Sequence, residues 1–222
     1  MRSFFVRIIK HMVLAELNPL QIIFVIATPI VLIFIVLFFI VIPINKKHIK
    51  KNFVEYCYKA IYKIAFDEDY YLINNFLFRV DSTKVAKIDH ILFGNKYIYV
   101  ILDAFFEGNL TGKEGDQSLI VVNNKSQRAY TENQYNVSKK IVEYLVRATG
   151  MDNGLFIGVV VVNNDCKISV ETTNKQYYII QRNKLKRLVR AIESRDVGKI
   201  NAAQLDAAVK AIDKLNRTKK KK

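Results

Sequence analysis

The sequence predicts an α/β protein, a mixed sheet flanked by helices, preceded by one N-terminal transmembrane helix. Three observations carry this. Residues 20–44 run for 25 positions without a formal charge. Beyond Lys51, apolar residues first recur at helical spacing and then fall into strand-length blocks. The blocks follow the order α-β-β-β-(β)-α-β-β-α-α, which interleaves helices and strands within one domain of about 150 residues.

The apolar run LQIIFVIATPIVLIFIVLFFIVIPI is longer than a helix needs to cross a hydrocarbon core of about 30 Å. Pro29 is tolerated in a membrane helix. A cleaved signal peptide fits less well, because its apolar region is shorter and a small-residue cleavage site is missing here. The basic flank KKHIKK reads as a stop-transfer boundary in contact with anionic headgroups. Lys46, Lys47, Lys50 and Lys51 outweigh the more distant Arg2, Arg7 and Lys10. The expected protein is therefore single-pass in the cell membrane, with its C-terminal domain in the cytoplasm. The expected divisions are a basic, amphipathic segment over 1–19 (an interfacial helix in one reading), the span over 20–44, the flank over 45–51, the domain over 52–195, a C-terminal helix over 196–216 and a basic tail over 217–222. His11 and His48 are expected at the interface.

The net charge of +15 invites a nucleic-acid reading until it is located. Residues 1–51 hold a net +6 and the tail from Arg217 a net +5, which leaves +4 for residues 52–216. Two cysteines, Cys57 and Cys166, cannot build a disulfide framework, and no Cys/His set has zinc-finger spacing. The simplest reading is a reducing compartment. Only 8 Gly and 3 Pro exclude collagen-like and Pro-rich architectures.

Within the domain, FVEYCYKAIYKIAF places Phe53, Cys57, Ala60, Ile61 and Ile64 on one helical face. YLINNFLFRV reads as a strand, DSTK as a turn and VAKIDHILF as a second strand. The connection at Gly94-Asn95 leads to a third strand, YIYVILDAFF, as a hairpin. LTGKEGDQ reads as loop and SLIVVNN as a short strand. YTENQYNVSKKIVEYLVRATG is a helix with Val137, Ile141, Tyr144 and Leu145 on one face and Gly150 near its end. LFIGVVVVNN is a continuous apolar run, expected to be buried on both faces. YYIIQ is a short strand, and two helices follow. The last of them opens with Asn201 three residues before Gln204, the spacing of a capping box. No interleaved basic and aromatic platform for stacking bases is seen.

Five pieces recur in order: Asn74-Asn75, Ile88-Asp89-His90, a hairpin, Tyr99-Val100-Ile101, and Gly108-Asn109-Leu110-Thr111-Gly112. Together they resemble the nuclease-related domain (NERD), a branch of the PD-(D/E)xK restriction-endonuclease-like fold, over roughly residues 50–192. The resemblance implies a restriction-endonuclease-like mixed sheet. In an active member it also implies Mg²⁺ held by an Asp and by a Glu on the next strand, with a Lys two residues after the Glu on the same face. Hard oxygen ligands suit that ion, and strand alternation explains the spacing of two.

Laid on this chain, the pattern puts Asp89 on the first acid and Glu55 on the helix Glu. The family's Glu falls on Leu102 and its Lys on Ala104. Asp103 is a displaced substitute, because a one-residue shift turns a side chain to the other face unless a bulge intervenes. Ile98, Val100, Leu102 and Ala104 are expected to share an apolar face. Glu107, Lys87, Lys96 and Lys113 are further charges that a rearranged site would draw on. The family's helix motif is reduced to Asn133. The candidate catalytic residues are Asp89, Asp103 and Glu55. The candidate metal ligands are Asp89 and Asp103, for Mg²⁺ if the protein is active; otherwise no cofactor is expected. Structural alternatives stand beside each: Asp89 bonded to a neighbouring turn, Asp103 at a strand end, Glu55 solvated.

Three functions follow as expectations. The first is a membrane-anchored NERD-like protein, degenerate in catalysis, that binds or scaffolds, with nucleic acid as one partner class. The second is an active Mg²⁺-dependent nuclease with a rearranged site. The third is a module binding a membrane or cytoplasmic protein. The lipid bilayer is a partner in all three.

Overall fold

The computed structural model describes residues 18–80 and 85–216. The segment before residue 18, with His11 and any interfacial helix in it, and the tail 217–222 lie outside the described residues. The chain divides into two units, Met1–Lys51 and Asn52–Lys222.

The first unit is helical. Helix α1 (Pro19–Val36) passes through Pro29, continues as a five-residue π-helical stretch (Leu37–Val41) and then as α2 (Ile42–Lys51). Ile23–Lys51 contains the one helix long and apolar enough to cross a membrane among the described residues. Its apolar side chains are exposed, Phe24, Phe38 and Phe39 by more than two thirds. Water does not favour so large an apolar surface, and hydrocarbon does. The last turn of α2 carries His48, Lys50 and Lys51, where cations complement the helix dipole.

The second unit is mixed α/β with two sheets, where a single mixed sheet was expected. Helix α3 (Phe53–Glu68) comes first. The larger sheet has the order β1-β2-β3-β7-β9, from β1 (Tyr71–Arg79), β2 (Val85–Phe93), β3 (Ile98–Ala104), β7 (Phe156–Val162) and β9 (Tyr177–Gln181). β1, β2 and β3 pair antiparallel; β3–β7 and β7–β9 pair parallel. The smaller sheet has the order β6-β5-β4-β8, from β4 (Asn109–Lys113), β5 (Ser118–Val122), β6 (Arg128–Glu132) and β8 (Lys167–Glu171). Three of these strands differ from expectation. β4 lies in the segment read as loop, β6 in what was read as the start of a helix, and β8 was not expected. Each has five residues; β4 and β8 alternate polar with small or apolar side chains and β6 carries one large ring, Tyr130, so no apolar run announces them. In the Gly-Asn-Leu-Thr-Gly piece both glycines take positive φ, and a β-carbon on Gly108 would strike the Val122 carbonyl. Glycine there lets β4 lie against β5.

The larger sheet is covered on both faces. One face packs on α3 and α5 (Leu185–Glu193) through Cys57, Ile61, Val189 and Ile192. The other packs on α4 (Gln134–Thr149), α6 (Ala202–Leu215) and the smaller sheet through Ile141, Leu145, Ile212, Leu110 and Leu119. That double cover explains why all seven residues of β7 are buried. The capping box expected at Asn201 and Gln204 is formed.

Asn133 caps α4, accepting from the Tyr135 amide at 3.0 Å. Its side-chain nitrogen also donates toward the carbonyls of Lys113, Glu114 and Asp116, at 3.1, 3.1 and 2.7 Å. It is fully buried. Asn133 thus ties the β4–β5 turn to α4. Asn133→Ala removes the cap on the Tyr135 amide and the side-chain donor shared among these carbonyls, and is expected to cost about 2 kcal/mol. Urea unfolding of the full chain in detergent measures this; a midpoint that does not move would contradict the role.

Candidate functional site

The β2–β3 hairpin decides which side chains meet. It sets His90 opposite Ile101. By alternation Tyr99, Ile101 and Asp103 then face α3, while Ile98, Val100, Leu102 and Ala104 pack in the opposite core, as expected.

The β1–β2 pair is not uniform. Ile73 and Phe76 enter the same core although three residues apart, and so do their partners Ile91 and Ile88. Asn75, between them, has φ +52°, a left-handed conformation that Asn tolerates better than most residues. Both strands therefore change face at the quoted Asn74-Asn75 and Asp89-His90 positions. Below that point the β2–β3 ladder has ended, and the Asp89 side chain replaces it by accepting the Asp103 backbone N–H at 2.9 Å. The other Asp89 oxygen meets the Lys87 ammonium at 2.6 Å. Asp89 is thus a strand-splicing carboxylate with two partners.

Asp103 and His90 form a buried pair. His90 Nε2 lies 3.0 Å from Asp103 Oδ2, with side chains 3% and 1% exposed. His90 Nδ1 lies 2.6 Å from Asn74 Oδ1. Both ring nitrogens thus face an oxygen. The Tyr58 ring stacks over His90, with centroids 6.4 Å apart. Asp103 Oδ1 is buried and lacks a conventional hydrogen-bond partner. The Cys57 thiol, a weak donor, also neighbours the Asp103 carboxyl. Burial raises the Asp103 carboxyl above its usual range, against the downward pull of His90. Burial and the Asp103 charge push the Cys57 thiol far up. A thiol so held stays protonated and does not serve as a nucleophile.

Glu55 stands apart. It is exposed on α3 and paired with Lys59 at 2.6 Å. The structure thus brings Asp89 and Asp103 together through a backbone amide and leaves Glu55 in solvent. His90, Asn74 and Cys57 are the residues that sequence reasoning did not assign to the cluster. Counting alternate positions back from Asp103 and across the hairpin would have found His90.

These groups do not fit a Mg²⁺ centre. Among the described residues no group of three or more His, Cys, Asp or Glu side chains is placed to hold a metal ion. The carboxylates of Asp89 and Asp103 are engaged with Lys87 and His90. Leu102 and Ala104 supply no oxygen where the resemblance puts the Glu and Lys. Mg²⁺ requires near-octahedral oxygen ligation, and the buried set offers instead one carboxylate, an imidazole and a thiol.

The α3 helix, the antiparallel meander and the parallel β3–β7 pair make up a mixed α/β domain. The matching family model is the nuclease-related domain, NERD, over residues 50–163. That stretch is half the chain and takes in every piece named above from α3 to β7; the chain belongs to the NERD family. The restriction-endonuclease-like fold expected from the resemblance is consistent with that membership. No curated protein and no solved structure matches the chain.

Proposed function

We propose that this chain is a single-pass membrane protein that presents a NERD domain at the cytoplasmic face and acts by binding or scaffolding, without metal-dependent cleavage. The observation that carries the reading is the packing of Leu102 and Ala104 against α4, α6 and the smaller sheet. The face where a Glu and a Lys would work is core, so a rearranged site would have to be built on the α3 side. There the one carboxylate of β3 is committed to His90.

The orientation rests on the basic flank after the apolar helix. Nucleic acid is the partner class suggested by the family. The charge adds little to it, since residues 52–216 carry only +4.

The test is the purified full chain in detergent, incubated with duplex and single-stranded DNA and with Mg²⁺ or Mn²⁺. No cleavage above a metal-free control is expected. Cleavage that disappears in Asp89→Ala would overturn the proposal in favour of an active nuclease.

A further inference from the structure

The outer face of α3 is unlike the rest of the domain surface. Val54, Tyr58, Tyr62 and Phe66 are exposed by 48, 39, 53 and 77%. They recur every fourth residue and so line one stripe. The same helix buries Phe53, Cys57, Ile61, Ile64 and Ala65 on its other side. The rings run in series, Tyr58–Tyr62 at 5.9 Å and Tyr62–Phe66 at 6.5 Å between centroids. Beyond this stripe, the exposed large apolar residues described in the domain are the scattered Tyr71, Val85, Tyr130 and Val197.

Charge gathers on the flank of α3 that faces α5, where Arg182 lies over the Tyr56 ring. Helix α3 itself carries a net −1, but its acids are ion-paired: Glu55 with Lys59, Asp67 with Lys186, Glu68 with Arg190. Residues 182–193, packed alongside through α5, carry five basic residues against Glu193. Most of the domain's small positive excess therefore lies on this one side. Tyrosine, phenylalanine and long basic side chains are the set that settles at a membrane–water interface, with rings at headgroup depth and ammonium or guanidinium groups reaching the phosphates. Connectivity names the surface. One residue, Asn52, separates the end of the membrane-length helix at Lys51 from the start of α3 at Phe53, so the tether keeps any bilayer crossed by that helix at high effective concentration.

We propose that the Val54–Tyr58–Tyr62–Phe66 stripe, with the basic residues of 182–190 beside it, docks on the anionic headgroup surface of the bilayer that holds the N-terminal helix. The inference rests on the membrane-anchored reading above. Docking fixes the domain against the leaflet and places the Tyr58 ring, which covers His90, at the lipid surface.

The chain contains no tryptophan, so Tyr62→Trp introduces a single reporter at an exposed site. The full chain is reconstituted in phosphatidylcholine vesicles, with or without phosphatidylserine, that contain bromine-labelled acyl chains. With phosphatidylserine, the emission is expected to shift to the blue and to lose most of its intensity. The control reporter, Tyr130→Trp on β6, belongs to the sheet that packs on the other face of the larger sheet, and is expected to stay red and unquenched. Arg187→Glu with Arg190→Glu is expected to restore the Tyr62→Trp intensity while the chain still floats with the vesicles. A chain that floats but shows no quenching at position 62 overturns docking and leaves the anchor standing. A chain that does not float overturns both. Equal quenching at 62 and 130, quenching that does not need phosphatidylserine, or a reporter that responds to an added oligonucleotide and not to lipid also overturns the docking proposal.

Discussion

Gly158→Val is expected to destabilise the domain by at least about 3 kcal/mol, the upper part of the range for overpacked cores, and to lower its thermal midpoint by roughly 10 °C. Gly158 sits in β7, paired with Val100 on one side and Tyr177 on the other. A β-carbon there would overlap the Ser138 hydroxyl and come within 2.5 Å of the Tyr177 ring. Both neighbours are themselves buried in the core. The Ser138 oxygen is itself buried without a hydrogen-bond partner, so Ser138→Ala alone is expected to be neutral or stabilising by up to about 1 kcal/mol. Gly158→Ala combined with Ser138→Ala should then cost less than the two single changes predict, by at least about 0.5 kcal/mol. Urea midpoints of the four proteins in one detergent complete the cycle. Strict additivity would show that the glycine is not there to admit Ser138.

The second large effect is expected at the buried pair. Asp103→Ala leaves His90 without one of its two oxygen partners in a buried site, at a cost of about 3 kcal/mol. Asp103→Asn keeps an oxygen for His90 and removes the charge, and should cost less. The two also differ in pH dependence. Burial raises the Asp103 carboxyl in the folded chain, so the folded state holds this proton more tightly than the unfolded one. The stability contributed by that proton is complete below the ordinary carboxyl value of 3.8. It is lost as pH rises through the raised value. In that window the parent protein should lose stability with rising pH relative to Asp103→Asn. Urea midpoints from about pH 3 to pH 8 read this directly. Parallel curves for the two proteins would remove Asp103 from the account.

Much of the architecture could be read from the sequence where the chemistry is repetitive. The periodic residues of α3 and α4 and the unbroken run of β7 announce themselves, because each element buries a continuous apolar face. The apolar face of Ile98, Val100, Leu102 and Ala104 followed from strand alternation alone. The smaller sheet was harder. β4, β6 and β8 are five residues long, β6 is held only by its neighbour β5, and β4 and β8 find each other across a long stretch of chain, as when Leu110 pairs with Ile168. The candidate site was legible in its losses and not in its contacts. Sequence located Asp89 and Asp103 and gave them a shared metal only for an active protein. The change of face at Asn75 and the register of one hairpin instead hand Asp103 to His90 and Asp89 to a backbone amide, and neither feature has a compositional signal.

The parallel pairing of β3 with β7 has a consequence in time. Ile98 pairs with Phe156, 58 residues further along the chain. At 5–20 residues per second, the open edge of β3 waits on the order of 3–12 s for its partner to leave the ribosome. The meander of β1, β2 and β3 is local and can close early. It then presents Ile98, Tyr99, Val100 and Ile101, all buried in the finished domain, along an unpaired edge. Such an edge invites pairing with another chain. The nascent protein passes through its most aggregation-prone stage before β7 exists, and the pace of synthesis across residues 105–162 sets how long that stage lasts.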